Sequence, residues 1–154
     1  MPLPNPSIMR KEQPQQPVNK PLRWVGSKDQ PSHPEALRRL LRELGQMPIE
    51  ISQTEIEVEV LIRRLERGNH LGSRRQINIQ SSPHPKLKEL RWKLEFKPGD
   101  YALRLYLAVE PSEYLGLRWQ IKDLELDSGH MRLTQNLEIA LATLAYFENQ
   151  AENN

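Results

Sequence analysis

Residues 86–123 read KLKELRWKLEFKPGDYALRLYLAVEPSEYLGLRWQIKD, and apolar side chains recur at every second position through most of the segment. A period of two belongs to a pleated strand with one face buried. Leu90, Trp92, Leu94 and Phe96 share one face of a strand running from Lys86 to Lys97, and Pro98-Gly99-Asp100 turns the chain. Tyr101, Leu103, Leu105, Leu107 and Val109 form the apolar face of the next strand. After Pro111-Ser112, a third carries Leu115, Leu117, Trp119 and Ile121. Strands joined this closely pair as an antiparallel meander. Arg74 to Gln80 reads as a further strand on its fringe.

Before the meander the period changes. Leu22-Arg23-Trp24-Val25 is a short strand stopped by Gly26-Ser27. Pro34 then suits an early helical position, with Ser32 or His33 before it as cap. Leu37, Leu40, Leu41 and Leu44 follow with i, i+3, i+4, i+7 spacing, and Gly45 and Pro48 end that helix. Residues 54–65 fit two patterns. Ile56, Val58, Val60 and Ile62 alternate as in a strand, whereas Val58, Leu61, Ile62 and Leu65 form a helical stripe. Ser52-Gln53-Thr54-Glu55 has the spacing of a capping box, and Gly68 suits the position after a helix end. The spacing predicts a helix. A last helix over about residues 135–150 shows Leu137, Ala140, Leu141 and Leu144 at helical spacing. The fold class expected is α+β: a small antiparallel sheet with two N-terminal helices and one C-terminal helix packed on it.

The 154 residues allow one domain plus tails. Five prolines among Asn, Gln and Lys in residues 1–20 predict a disordered tail there, with a partner-binding arm as the alternative. The single domain is expected over residues 21–148, followed by a disordered C-terminus at 149–154. A mean hydropathy of −0.71 and short apolar runs predict a water-soluble chain with no membrane span. The absence of cysteine removes disulfides, thiolate metal sites and Cys nucleophiles, and fits a reducing, cytoplasmic compartment. A formal net charge of +2 is too small for a dedicated polyanion binder, so any such site must depend on where the charges sit.

The alternate face of the meander carries those charges. It places Arg91, Lys93, Glu95 and Lys97 on one strand, Ala102, Arg104, Tyr106 and Ala108 on the next, and Arg118, Gln120 and Lys122 on the third. If the helices cover only the Leu/Trp/Phe face, this second face is wet. Arg, Lys and Gln there suit a phosphodiester backbone, and Tyr106 offers a ring for a base. A plain solvated face accounts for the same pattern, because cross-strand Glu–Arg pairs are ordinary in sheets and residues 86–132 hold nearly equal numbers of basic and acidic side chains.

Conventional catalytic signatures are missing. His33, His70, His84 and His130 show no metal-ligand spacing, the glycines form no phosphate loop, and there is no G-x-S-x-G elbow. No metal or cofactor is expected.

Several local sequences, in order, resemble the RelE/HigB superfamily of toxin–antitoxin RNases, and its phage-derived HigB-type branch in particular. Lys20-Pro21-Leu22-Arg23-Trp24-Val25-Gly26-Ser27 is similar to that branch's opening K-P-L-x-W-[VI]-G-S strand. Leu65-Glu66-Arg67-Gly68 resembles the end of its second helix, Leu87-Lys88-Glu89-Leu90-Arg91 its L-x-E-L-R strand, and Tyr101 to Tyr106 its YR…Y strand, with Arg104 in the arginine's place. Thr134 to Ala142 resembles T-P-x-x-E-I-x-x-A, with Gln135 replacing the proline. One departure concerns charge: Leu124-Glu125-Leu126-Asp127 stands where the family carries Phe-Lys-Lys.

The resemblance implies a toxin that cuts mRNA in the ribosomal A site by letting the RNA's own 2′-OH attack the neighbouring phosphate, neutralised by a helix-turn-helix antitoxin. Arg91 and Arg104 would then be catalytic, holding phosphate oxygens. Lys88, Lys93, Tyr106, Arg118, Lys122 and Arg132 would bind RNA. Two other readings use the same fold: a non-catalytic module whose charged face binds RNA or protein, and a structural or assembly protein, for example of a phage particle, that forms homo-oligomers.

Overall fold

The computed structural model describes residues 19–69, 75–78, 86–94, 101–123 and 128–153, with side chains described at 19–69, 86–91, 101–123 and 135–152. The prolines of the N-terminal tail, up to residue 18, lie outside them. In chain order the elements are β1 (Leu22–Trp24), α1 (His33–Glu43), α2 (Pro48–Glu66), β2 (Arg75–Asn78), β3 (Leu87–Leu94), β4 (Tyr101–Val109), β5 (Tyr114–Asp123) and α3 (Ser128–Asn153). The α+β class, with two N-terminal helices and one C-terminal helix, is as the sequence reads.

The two N-terminal helices follow local chemistry. Ser32 occupies the N-cap position of α1, without a side-chain cap bond, with Pro34 in the first turn, and the chain leaves through Gly45 at φ +96°, where Gly45 N–H donates to the Arg42 carbonyl and Gln46 N–H to that of Leu41. The connection to α2 is therefore only a few residues. Pro48 opens α2 instead of merely ending α1, because the residue at the first helical position needs no N–H partner. The N-cap is Met47, whose N–H donates to the Glu50 side chain at 2.9 Å, so the Ser52–Glu55 box lies inside the helix. The helical reading of 54–65 is the observed one. Gly68, at φ +70°, closes α2 with the paired bonds Gly68 N–H to Leu65 and Asn69 N–H to Arg64.

The sheet has the order β1-β5-β4-β3-β2. Strands β2 to β5 pair antiparallel in sequence, which is the expected meander. β1, however, lies parallel to β5, so the sheet is mixed and not purely a meander. Parallel neighbours need a crossover, and α1 and α2 supply it, carrying the chain from one edge to the other.

The first core fills the space between α1, α2 and one sheet face. Leu37, Leu41, Val58, Leu61 and Leu65 meet Leu90, Leu103, Leu105, Leu107 and Trp119 there. A second core corrects the expectation of a wet opposite face. Ile139, Ala142, Ala145 and Tyr146 of α3 pack on Leu87, Tyr106, Ala108, Leu115 and Leu117. The helix that should have joined the others lies alone on the far side. It also uses a different stripe from the one the sequence suggests, because Leu137 and Leu144 point away from the sheet. The helix runs on to Asn153, and Asn149 is buried, so most of the segment read as a disordered C-terminus is helical.

A bulge explains why one strand contributes to both cores. Between Tyr106 and Leu107 the β4–β5 register slips: Tyr106 opposes Arg118 and Leu107 opposes Gly116. Alternation changes phase at the extra residue, Leu117. Leu115 and Leu117 therefore face α3, while Trp119 and Ile121 face α1 and α2. Simple alternation places all four on one face.

Candidate functional site

The second face is arranged in rows running across β3, β4 and β5. Leu87, Ala108 and Leu115 are in register, and next come Glu89, Tyr106 and Arg118. Arg91, Arg104 and Gln120 form the following row, and Lys93, Ala102 and Lys122 the one after. The apolar half of α3 covers the first row. The charged rows follow beside it, where Glu138 of α3 reaches Arg118.

Glu89 organises the centre. It is almost fully buried, and its Oε1 accepts from Arg91 Nε at 2.8 Å and pairs with Arg91 Nη2. The same oxygen lies 3.8 Å from Arg104 Nε, close enough for charge attraction and too far for a hydrogen bond. Arg104 is completely buried, and its Nε and Nη1 have no hydrogen-bond partner among the described residues. Burial pushes the Lys122 ammonium below its ordinary pKa, with further lowering by Arg104 and Arg91. Among the described residues, Arg91 and Arg104 thus meet the Glu89 carboxylate and Lys122 feels its charge, three cationic groups to one anionic. Such a cluster favours an anion, and an oxyanion most, since guanidinium N–H groups left unpaired in a low-dielectric site gain strongly from a charged acceptor.

The remaining expected site residues fall in different places. Arg91 is partly exposed and belongs to the cluster. Tyr106, expected as a ring open to a base, is wholly buried under α3; its O–H donates to Gln120 Oε1 at 2.6 Å, and burial pushes its pKa up to about 12. Arg118 is buried and held by Glu138, by Asp29 Oδ1 at 2.6 Å and by Ser27 Oγ at 3.2 Å, so its charge is spent within the protein. Lys88 stands opposite Leu107, which places it on the α1/α2 face, away from Arg91 and Arg104. Lys93 continues the cationic row by register. Lys93 and Arg132 have side chains outside the described ones.

Glu89 and Glu138 were not singled out as site residues. Glu89 stands two residues from Arg91, the same-face spacing of a strand, and is the glutamate of the L-x-E-L-R resemblance. Glu138 is the glutamate of the T-P-x-x-E-I-x-x-A resemblance, but its contact with Arg118 depends on α3 crossing the second face. The segment after β1 is also structural in a way no motif announces. The Gln30 side chain donates to the Trp119 carbonyl at 2.9 Å and accepts from Trp119 N–H at 2.7 Å, acting as a strand partner beside β5.

His33 lies on the other face, where its Nδ1 accepts from Trp119 Nε1 at 2.9 Å beside the Trp24 ring. It is not near the cationic cluster. Among the described residues no group of His, Asp and Glu is arranged to hold a metal, and no helix is long and apolar enough to cross a membrane. The cluster supplies positive charge and directed N–H groups rather than an acid–base pair. Comparison with family models, curated proteins and solved structures finds no match to this chain.

Proposed function

We propose that the chain is a RelE/HigB-like mRNA endonuclease acting on the ribosome, with the Arg91–Arg104–Lys122 cluster as its phosphate site and a helix-turn-helix protein as its antitoxin. The observation that carries the phosphate site is the partly exposed Arg91 beside Lys122 on one face, with the buried Arg104, whose Nε and Nη1 have no partner among the described residues, adding positive charge beneath them. In the proposed reaction the RNA 2′-oxygen bonds to the adjacent phosphorus and the bond to the 5′-oxygen breaks. A 2′,3′-cyclic phosphate and a 5′-OH remain, and the proton passes from the 2′-OH to the departing oxygen through solvent. Charge stabilisation of the phosphorane is what an arginine cluster contributes to such a step. The resemblance of the sequence, not the cluster, supports the ribosome and the antitoxin.

The test is translation of a reporter mRNA on purified ribosomes, with primer extension to locate cuts. Cleavage at codon spacing that is lost in Arg91→Ala and in Lys122→Ala supports the reading. Intact mRNA at excess protein sinks it.

A second reading is favoured by the burial of Tyr106 and by the neutralisation of Arg118, which leave a smaller face than an open RNA-binding sheet. In it the same cluster binds an RNA phosphate or an acidic protein side chain without chemistry. Retained RNA binding, abolished by Arg91→Ala, with no cleavage would select it.

A further inference from the structure

We infer that Glu89 is a shared counter-ion that passes from Arg91 to Arg104 when a phosphate occupies Arg91, which makes Arg104 a positioning residue and not a phosphate ligand. This rests on the phosphate site proposed above. Several observations meet at one oxygen. Glu89 Oε1 accepts from Arg91 Nε at 2.8 Å and pairs with Arg91 Nη2, so two nitrogens of one guanidinium hold it. The same oxygen stands 3.8 Å from Arg104 Nε, roughly 1 Å beyond an ordinary hydrogen bond. Arg104 is fully buried, and its Nε and Nη1 have no hydrogen-bond partner among the described residues. Unmade hydrogen bonds on a buried guanidinium are a standing cost, and a small turn of the Glu89 carboxylate relieves it. Arg91 holds the carboxylate against that turn.

Exposure separates the two arginines. The Arg91 side chain is 38% exposed and that of Arg104 1%, so an anion from solution meets Arg91 first. A phosphate there takes the N–H groups that hold Glu89. Glu89 is itself almost fully buried, and a carboxylate at that depth is costly without a cation. It would also repel the incoming phosphate. Moving to Arg104 answers both problems, because two guanidinium groups then hold two anions, one each. The distance is short, since Arg91 and Arg104 are direct cross-strand partners and Glu89 already lies between them. Arg104 therefore strengthens phosphate binding without touching phosphate. Where position 104 carries no cation, Glu89 stays on Arg91 and competes with the ligand.

Arginine side-chain NMR of the full chain, titrated with inorganic phosphate, reads both halves of the exchange. In the free protein the Arg91 Nε–H should carry the downfield shift of a carboxylate-bound guanidinium, and the Arg104 Nε–H should not. Phosphate should move the Arg104 signal downfield. Arg91→Met should move it with no phosphate present, because that change alone frees Glu89. Phosphate affinity should fall about 10-fold in Arg104→Met, and Arg104→Lys, which restores a cation, should recover most of it. An Arg104 signal unmoved in Arg91→Met would overturn the inference and leave the phosphate site standing. Full phosphate affinity in Arg104→Met would do the same. Wild-type protein that binds no phosphate would remove the site and the exchange together.

Discussion

Arg91 and Arg104 are direct cross-strand partners, two guanidinium groups side by side on the face beneath α3, and Glu89 is the carboxylate that contacts both. Like charges opposite one another destabilise a sheet unless an anion lies between them. The Glu89 carboxylate satisfies Arg91 by hydrogen bonding and Arg104 only by proximity, which leaves Arg104 as a store of unsatisfied polar burial.

Glu89→Gln should therefore destabilise the protein strongly, by about 3 kcal/mol, because it removes the counter-charge that Arg104 has among the described residues. Arg104→Met should cost less than ~1 kcal/mol or even stabilise, since it removes a buried charge already missing its hydrogen bonds. Urea unfolding of the two variants checks the order. Equal losses would mean that Arg104 is structurally satisfied, which would remove the reason for assigning it to an anion.

The attachment of α3 to the sheet can be tested separately at Arg118. Glu138→Gln should cost about 2 kcal/mol, because Glu138 and Arg118 are both well buried. Asp29→Asn should cost below ~1 kcal/mol, since Asp29 is half exposed. The hydrogen bond from Arg118 holds the Asp29 carboxyl below its ordinary pKa, so its small contribution is present above pH ~3.9 and lost as pH falls through the lower folded value. Chemical denaturation of both variants at neutral pH, and of Asp29→Asn in acid, measures these effects.

Stability should also fall on mild acidification through His33. Burial lowers its pKa, only partly offset by Glu59 and Glu55. Its Nδ1 accepts from Trp119 and therefore needs the neutral ring. The unfolded chain takes up the proton first, so stability is full above pH ~6.5 and declines as pH drops below it toward the folded pKa. Thermal melts between about pH 7.5 and about pH 5.5 should show the decline, and His33→Gln should flatten it. Indole fluorescence offers a second readout, because Trp24 and Trp119 both lie against the His33 ring.

Gly116 is required by the indole it supports. A Cβ at this position would stand 2.5 Å from Trp24 Cε3 and 2.9 Å from Cζ3, ring atoms that cannot swing aside as a flexible chain end can. Gly116→Ala should cost about 2 kcal/mol through this overpacking. In a Trp24→Leu background the same change should cost clearly less, and a double-mutant cycle by urea unfolding measures the difference. Additive costs would place the strain elsewhere.

The sequence by itself determined the elements. Spacing of Leu37, Leu41, Leu61 and Leu65 predicted two helices, alternation from Leu103 to Leu107 predicted a strand, and Gly45 and Gly68 marked helix ends by chemistry that operates within a few residues. Arg91, Arg104 and Lys122 were legible as one face for the same reason, since alternation places side chains without reference to the rest of the fold. What covers that face was decided only in three dimensions. α3 has two apolar rows, and nothing local distinguishes Leu137 and Leu144 from Ile139 and Tyr146; only docking on the sheet made the second pair core. The bulge at Leu117 reversed the sides of β5, and a one-residue slip leaves the alternating pattern of the sequence unchanged. Burial of Tyr106 and neutralisation of Arg118 by Glu138 both follow from that docking. The composition of the charged face was local, but its accessibility depended on long-range packing.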